Sequence, residues 1–351
     1  MPSSKASAKV LAWPLFDRIV ADAMDGGDYT NPWSKRPDGT FVFEPDYGTL
    51  RRLLGVPLYL KAPTTTGVPA LALDVWIAYE LRRAGFDPDA VWPRATHPRI
   101  LPGPIARLLE KDLLPAKIRD PLQARLMKEG NVKGVTHSSA SILGKNYLKQ
   151  VDVIMTDWAT GPELLISTKR MDSSYGKNAP NRVEESYGDA KNLRLRHPLA
   201  ALGFAFGLRT DIFTKEPETA DWLLDLLAKL GREEDAYRAT CVILMDYGQD
   251  VTLPDDAEGS DDGEDRSAAA GLVDQPAEEE EPVEVPRSQV EQQLAELPPV
   301  RIDHDRTPAS LSPATFLATL VEHVLDQTPV NMHRGARLRR RDAALQRAKS
   351  S

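Results

Sequence analysis

The feature that most limits what this chain can fold into is an acidic stretch near its C-terminal end. Residues 250–300 contain 16 Asp or Glu residues and only two basic ones, Arg266 and Arg287. A segment with so much charge and so few aromatic side chains cannot bury enough apolar surface to offset the entropy lost on ordering. The sequence therefore predicts a disordered acidic linker over residues 250–300.

Setting the linker aside reverses the sign of the charge. The whole chain has a formal net charge of -8 at pH 7. Outside residues 250–300 it contains 42 Lys or Arg residues against 36 Asp or Glu residues. The folded part is therefore mildly basic, and the low isoelectric point does not exclude a nucleic-acid partner.

Length and composition favour one large globular domain with extensions, since the chain has 351 residues of which 41% are hydrophobic. No apolar run approaches the roughly 20 residues that a membrane span needs, and the N-terminus lacks a signal-peptide pattern. The one cysteine, Cys241, lies in an apolar run, which predicts a buried and inert thiol in a cytoplasmic protein. Scattered histidines and the absence of paired cysteines argue against a structural zinc site.

Strand-like and helix-like segments alternate between residues 68 and 249, which predicts an α/β fold with a mixed sheet flanked by helices. The stretch "SSYGK", residues 173–177, is expected to be a mobile loop. The sequence predicts four regions: an N-terminal elaboration packed on the same core (1–67), a central domain (68–249) with a helical insertion (101–135), the acidic linker (250–300) and a C-terminal region (301–351). The C-terminal region is expected to contain a helix capped by Ser312. The basic tail that follows this helix is either solvated or in contact with phosphate.

The candidate catalytic segment is "VDVIMTDWATGPELLISTKRM", residues 151–171, which contains two short apolar strands. Asp152 and Lys169 stand at neighbouring strand ends, where each side chain is costly to desolvate. Mg²⁺ prefers carboxylate, carbonyl and water oxygens, so Asp152 and the carbonyl of Thr168 are candidate metal ligands. Lys169 is the candidate group that orients a hydrolytic water or offsets the charge of a phosphate.

These residues resemble the core of the PD-(D/E)xK nucleases, the fold of most type II restriction endonucleases. Asp152, a hairpin turn and a strand ending at Lys169 are similar to its motif, and the helix "LDVWIAYELRRAGF" resembles the one that often supplies a further acid, here Asp74. The resemblance implies a restriction-endonuclease-like fold and Mg²⁺-dependent hydrolysis of DNA. Where the family has an acid two residues before the lysine, this chain has Ser167.

A variant of the family, found in restriction enzymes that cut CCGG-centred sites, has Ser-x-Lys and takes the missing acid from the following helix. The stretch "ISTKRMDSSYGKNAPNRVEES" is similar in order and spacing. The resemblance implies that Glu184, or Glu185 if the register slips by one residue, completes the metal site. Ser167 would then be a small residue beside the metal and not a nucleophile. The guanine-reading segment of those enzymes is not reproduced, so no recognition sequence is implied.

In such a nuclease the segment after the catalytic strand would lie against double-stranded DNA. The candidate phosphate or base contacts are Arg170, Lys177, Arg182, Lys191, Arg194 and Arg196. A cut through both strands needs two active sites, so we expect a homodimer.

Each of these residues also has a structural interpretation. Asp152 could cap a turn or pair with Lys149, and Lys169 could protect a strand edge. Glu184 and Asp74 could be ordinary solvated helix residues, and Arg182 could pair with Glu185. Two functional alternatives also stay open: a junction or repair nuclease of the same fold, and a DNA-binding module inactivated by the Ser167 substitution.

Overall fold

A computed structural model describes residues 7–128, 140–248, 283 and 285–348, with only the backbone at 127–128 and 344–348. Its helices are α1 (Ala8–Asp22), α2 (Tyr47–Tyr59), α3 (Val68–Arg83), α4 (Gly103–Leu108), α5 (Ala116–Lys128), α6 (Tyr175–Arg194), α7 (Ile212–Lys215), α8 (Pro217–Leu230), α9 (Arg287–Ala295), α10 (Pro313–Gln327) and α11 (Arg334–Ala348). Its strands are β1 (Trp33–Lys35), β2 (Phe41–Phe43), β3 (Val91–Trp92), β4 (Ser141–Leu143), β5 (Leu148–Gln150), β6 (Val153–Asp157), β7 (Gly161–Met171), β8 (Ala201–Arg209), β9 (Ala239–Asp246) and β10 (Arg301–Ile302).

Six of these strands form one mixed sheet in the order β10-β9-β8-β7-β6-β3. The central strands β7, β8 and β9 are parallel, while β6 and β3 continue the sheet on one side and β10 on the other in antiparallel pairing. The parallel strands need crossovers, which α6 and α8 supply. The predicted α/β fold with a mixed, helix-covered sheet is confirmed at this level.

The two faces of the sheet hold separate apolar cores. Helices α3 and α10 cover one face, and α1 and α2 pack on α3. Helices α6 and α8 cover the other face. The apolar alternation of β7 fits this, because Ile166 belongs to the first core and Leu165 to the second. Successive side chains of β7 therefore project alternately toward the two faces of the sheet.

The N-terminal segment packs as expected, because Leu15, Leu53 and Trp76 belong to the same core. Helix α3 ends where the sequence predicted, with Gly85 at φ 98°. Ser312 caps α10 by accepting a hydrogen bond from the Thr315 amide at 3.2 Å. Cys241 is fully buried, and burial raises the pKa of its thiol.

Three expectations are corrected. The loop predicted at 173–177 is in large part the first turn of α6, which begins at Tyr175. The predicted linker extends too far, because α9 and β10 occupy its last part, where Val290 and Val300 are buried. Residues 249–282, like the end of the expected helical insertion at 129–135, lie outside the described residues.

The basic tail is the third correction, because its described part is an ordered helix packed on the domain and not a solvated tail; the phosphate-contact interpretation stays a prediction. It forms α11, whose arginines donate to backbone carbonyls and pair with acids. Arg339 donates to the Tyr29 carbonyl at 2.6 Å and Arg337 to the Leu325 carbonyl at 2.7 Å. Within the part of the chain that the structure describes, no helix is both long enough and apolar enough to cross a bilayer.

Candidate functional site

Strand register brings three of the predicted residues to one face of the sheet. Strands β6 and β7 are antiparallel, with Val153 opposite Ile166. One step further along this register, Asp152 stands opposite Ser167, and directly opposed residues project to the same face. Lys169 follows two residues later on β7 and shares that face, which α6 covers.

These three side chains line a pocket at the edge of α6. Its volume is about 20 Å³, which holds one water-sized sphere or one cation. The residues that line it are Lys149, Gln150, Asp152, Ser167, Lys169, Ser186 and Asp189. The prediction that Asp152, Ser167 and Lys169 converge agrees with this geometry.

The acid that α6 contributes is Asp189 and not Glu184. The inner face of α6 is set by small and apolar residues spaced three or four apart, namely Ala179, Val183, Ser186, Ala190 and Leu193. Asp189 follows Ser186 by three residues and so borders this face. Glu184 and Glu185 are both exposed and do not line the pocket. The structure thus does not bring Glu184 to the metal site that the resemblance implied.

A sequence signal for Asp189 was available in the helical spacing. Ala179, Val183, Ala190 and Leu193 form a stripe with period 3.6, and Asp189 is the carboxylate at its border. Val183, Ser186, Ala190 and Leu193 alone give this register. Asp189 was missed because the family resemblance assigned the acid to Glu184 or Glu185 on the same helix.

A second contribution that the sequence analysis missed is the β4–β5 hairpin, which lies directly before Asp152. It forms its own two-stranded sheet and reaches over α6. The Tyr147 hydroxyl donates to Asp189 Oδ1 at 3.0 Å, and Lys149 Nζ lies 2.6 Å from Asp189 Oδ2. Both oxygens of the Asp189 carboxylate are therefore held by this hairpin.

Thr168 connects the pocket to the opposite face. Its amide donates to Asp152 Oδ2 at 2.7 Å, which orients that carboxylate at the pocket. Its hydroxyl donates to the carboxylate of Asp74 on α3. Asp74 is 7% exposed, so the solvated interpretation is wrong, and the sheet separates it from the pocket. A catalytic role for Asp74 therefore finds no geometric support.

A buried phenol lies behind the pocket. The Tyr237 hydroxyl donates to the Ser186 carbonyl at 2.7 Å. Burial raises the pKa of this phenol, and the nearby Asp189 and Asp152 carboxylates raise it further. Tyr237 is therefore a neutral, fixed support of α6 at the pocket and not a source of protons near neutral pH.

The predicted DNA contacts divide into two groups. Arg170 is buried on the α3 face and pairs with Asp172 at 2.9 Å, so it is not a surface contact. The other candidates lie on or just after α6. Lys177, Lys191 and Arg196 are exposed, and Arg182 and Arg194 are half-buried. Lys191 pairs with Asp235 at 2.8 Å, and the Lys191 side chain stays exposed in this pair.

The pocket combines two carboxylates with two lysines. Lys169 Nζ makes no ion pair or hydrogen bond within the described residues. No cluster of three or more His, Cys, Asp or Glu side chains suited to a metal occurs among those residues. Mg²⁺ is commonly bound through only one or two carboxylates together with waters and substrate phosphates, so the two acids present fit that ion.

Comparisons with protein-family models, curated proteins and solved structures found no match to this chain.

Proposed function

We propose that the chain is a Mg²⁺-dependent endonuclease of restriction type that hydrolyses phosphodiester bonds in double-stranded DNA. The observation that carries this proposal is the pocket in which Asp152, Ser167 and Lys169 meet Asp189. Neighbouring strands deliver the first three, and the crossover helix delivers the fourth. Asp189 takes the place that the resemblance assigned to Glu184.

In this proposal Asp152 and Asp189 hold the metal ion, with the Thr168 carbonyl as a further oxygen ligand. Bound Mg²⁺ supplies charge neutralisation at the phosphate and lowers the pKa of a bound water. The Thr168 amide keeps the Asp152 carboxylate oriented through their 2.7 Å hydrogen bond. Ser167 lines the pocket without supplying a carboxylate, so the acid ligands in this proposal are Asp152 and Asp189.

Lys169 supplies a positive charge, which the two carboxylates cannot. Its ammonium group faces the same pocket without a partner of its own among the described residues. A lysine so placed orients the attacking water in line with the scissile bond and offsets charge that develops on the phosphate. The family resemblance implies products with a 5′-phosphate and a 3′-hydroxyl.

DNA would approach from the side of the pocket that carries the accessible basic residues of α6. Arg170 no longer belongs to the set, and the proposed phosphate contacts are Lys177, Arg182, Lys191, Arg194 and Arg196. A homodimer on a two-fold symmetric site would supply one pocket for each strand.

The test is cleavage of plasmid DNA by purified protein in Mg²⁺ and in EDTA. Asp152→Asn, Asp189→Asn and Lys169→Met are each expected to lower the rate at least about 10³-fold, since loss of one charge-stabilising group at such a site has about this effect. Glu184→Gln is the matched control on the same helix and should cleave like the wild type. Equal cleavage by Asp189→Asn and wild type, or a loss in Glu184→Gln, would overturn the assignment of Asp189.

One observation favours a second candidate, a DNA-binding module without nuclease activity. Tyr147 and Lys149 hold both oxygens of Asp189, so the cluster is stable without any cation. This candidate predicts DNA retention on a filter and no nicking of supercoiled plasmid at any Mg²⁺ or Mn²⁺ concentration. Nicking by wild type that disappears in Lys169→Met would exclude it.

A further inference from the structure

Lys149 is held against Asp189 more firmly than a surface lysine would be. The two side chains are 16% and 13% exposed, and their charged atoms are 2.6 Å apart. Partial burial strengthens such a pair, because water screens it less than it screens an exposed pair.

The hairpin that carries Lys149 is fixed to α6 by one buried side chain, that of Asn192. The Asn146 amide donates to Asn192 Oδ1 at 2.9 Å, and Asn192 Nδ2 donates to the Tyr147 carbonyl at 3.1 Å. The approach is so close that a Cβ on Gly144 would lie 2.2 Å from Asn192 Nδ2. The position of Lys149 therefore follows from the docking of the hairpin and not from a chance surface contact.

Charge balance in the pocket depends on this lysine. Two carboxylates, Asp152 and Asp189, face two ammonium groups, Lys149 and Lys169. The pocket is therefore close to neutral before a cation enters. A divalent cation that binds both carboxylates must compete with the Lys149 ammonium for Asp189 Oδ2.

We infer that Lys149 is an exchangeable counterion: it occupies Asp189 until a divalent cation binds there, and it then turns to a non-bridging oxygen of the DNA phosphate. This inference rests on the proposed function and adds a substrate-positioning residue to it. The lysine side chain suits the exchange, since its compact charge sits on a flexible four-carbon stem. The fixed backbone of the hairpin keeps the released ammonium within reach of the pocket.

The first test measures metal binding without DNA, by calorimetric titration of Mn²⁺ into the full-length protein. Lys149→Met should bind Mn²⁺ about tenfold more tightly than the wild type, because the competing ammonium is gone. Lys149→Arg retains the pair and should stay within about twofold of the wild type. Lys145→Met, which removes an exposed lysine from the same hairpin outside the pocket, is the matched control.

The outcomes separate the inference from the proposed function. If the wild type binds Mn²⁺ and Lys149→Met binds it no more tightly than Lys145→Met does, the counterion role is wrong and the nuclease proposal stands. If the wild type and all three variants neither bind Mn²⁺ nor cleave DNA, the nuclease proposal fails, and this inference fails with it.

The second test asks where the ammonium goes, through the salt dependence of DNA binding. For the wild type, the slope of log affinity against log salt should be steeper in Ca²⁺ than in EDTA. The difference should correspond to about one additional phosphate contact. In Lys149→Met this difference between Ca²⁺ and EDTA should vanish, while in Lys145→Met it should remain. An equal difference in both variants would contradict the transfer of Lys149 to phosphate.

Discussion

The two faces of strand β7 treat charge in opposite ways. On the α3 face, Arg170 is buried and pairs with Asp172, and Thr168 donates to the buried Asp74. On the α6 face, Ser167 and Lys169 line a pocket that is open enough for a cation. A buried charge with a fixed partner stabilises one structure, whereas a half-buried ammonium without one is available to a ligand. On one strand, Thr168 and Arg170 thus contribute to stability, while Ser167 and Lys169 face the proposed site.

The largest effect is expected from breaking the buried pair. Arg170→Met should lower the free energy of unfolding by about 3–5 kcal/mol, because it leaves the Asp172 carboxylate buried with the Tyr247 hydroxyl as its remaining side-chain donor among the described residues. Urea denaturation followed by circular dichroism measures this loss. Adding Asp172→Leu to the same protein should recover most of it, since two apolar residues of similar volume leave no buried charge. A loss below about 1 kcal/mol in the single variant would show that the α3 face does not depend on this pair.

The next effect is a pH dependence of stability that arises from Glu80, a buried acid of helix α3. Burial raises the pKa of Glu80 to about 7, although its ion pair with Arg83 at 2.7 Å acts in the opposite direction. The folded protein therefore holds this proton more tightly than the unfolded chain. The contribution of Glu80 to stability is full below about pH 4.5 and is lost as the pH rises to about 7.

Between pH 5 and pH 8 this loss amounts to about 2–3 kcal/mol. Urea denaturation at both pH values measures it, and Glu80→Gln should remove it while leaving the rest of the pH profile unchanged. Asp38→Asn, a change at an exposed loop, serves as the control and should keep the wild-type slope across this range. A Glu80→Gln slope equal to the wild-type slope would contradict a protonated Glu80 carboxyl in the folded protein.

A smaller effect is expected on the α6 face, from two glycine substitutions. Gly144→Ala should cost about 1–3 kcal/mol, because its Cβ would overlap Asn192 and displace the hairpin that holds Asp189. Gly188→Ala meets open space within α6 and should stabilise the protein by about 0.5–1 kcal/mol. Thermal unfolding of the two variants measures the contrast. Equal stabilities would mean that the hairpin is not fixed by its contact with Asn192.

Much of the fold could be predicted because local spacing determined it. Strands β8 and β9 are continuous apolar runs, and α3 has a complete apolar periodicity, so each was evident without knowledge of its partners. Asp152, Ser167 and Lys169 could be predicted for a similar reason. Strand register across a short turn brings them together, and a hairpin is a local structure.

The missed parts depend on contacts between distant segments. Strands β4 and β5 have only three residues each, with alternate side chains exposed, and they are held by Asn192, more than 40 residues away. Helix α9 lies in an acidic, low-hydrophobicity stretch, and the burial of Val290 against the main core offsets the cost of ordering it. Asp189 was missed because the family resemblance assigned the acid to Glu184 or Glu185, and only the packing of α6 on the sheet shows that these two face away from the pocket.

The smallest change in stability is expected from a substitution of Lys169. Its neighbour in sequence, Arg170, is the residue with the largest expected change. Lys169→Met should alter the free energy of unfolding by no more than about 0.5 kcal/mol, since the amine has no ion pair or hydrogen bond to lose among the described residues and the methionine retains the packing of the stem. Urea denaturation beside Arg170→Met measures the contrast, and plasmid cleavage by the same preparation should fall at least about 10³-fold. A stability loss comparable to that of Arg170→Met would make Lys169 a structural cation. The two faces of β7 would then not differ in the way that the nuclease proposal requires.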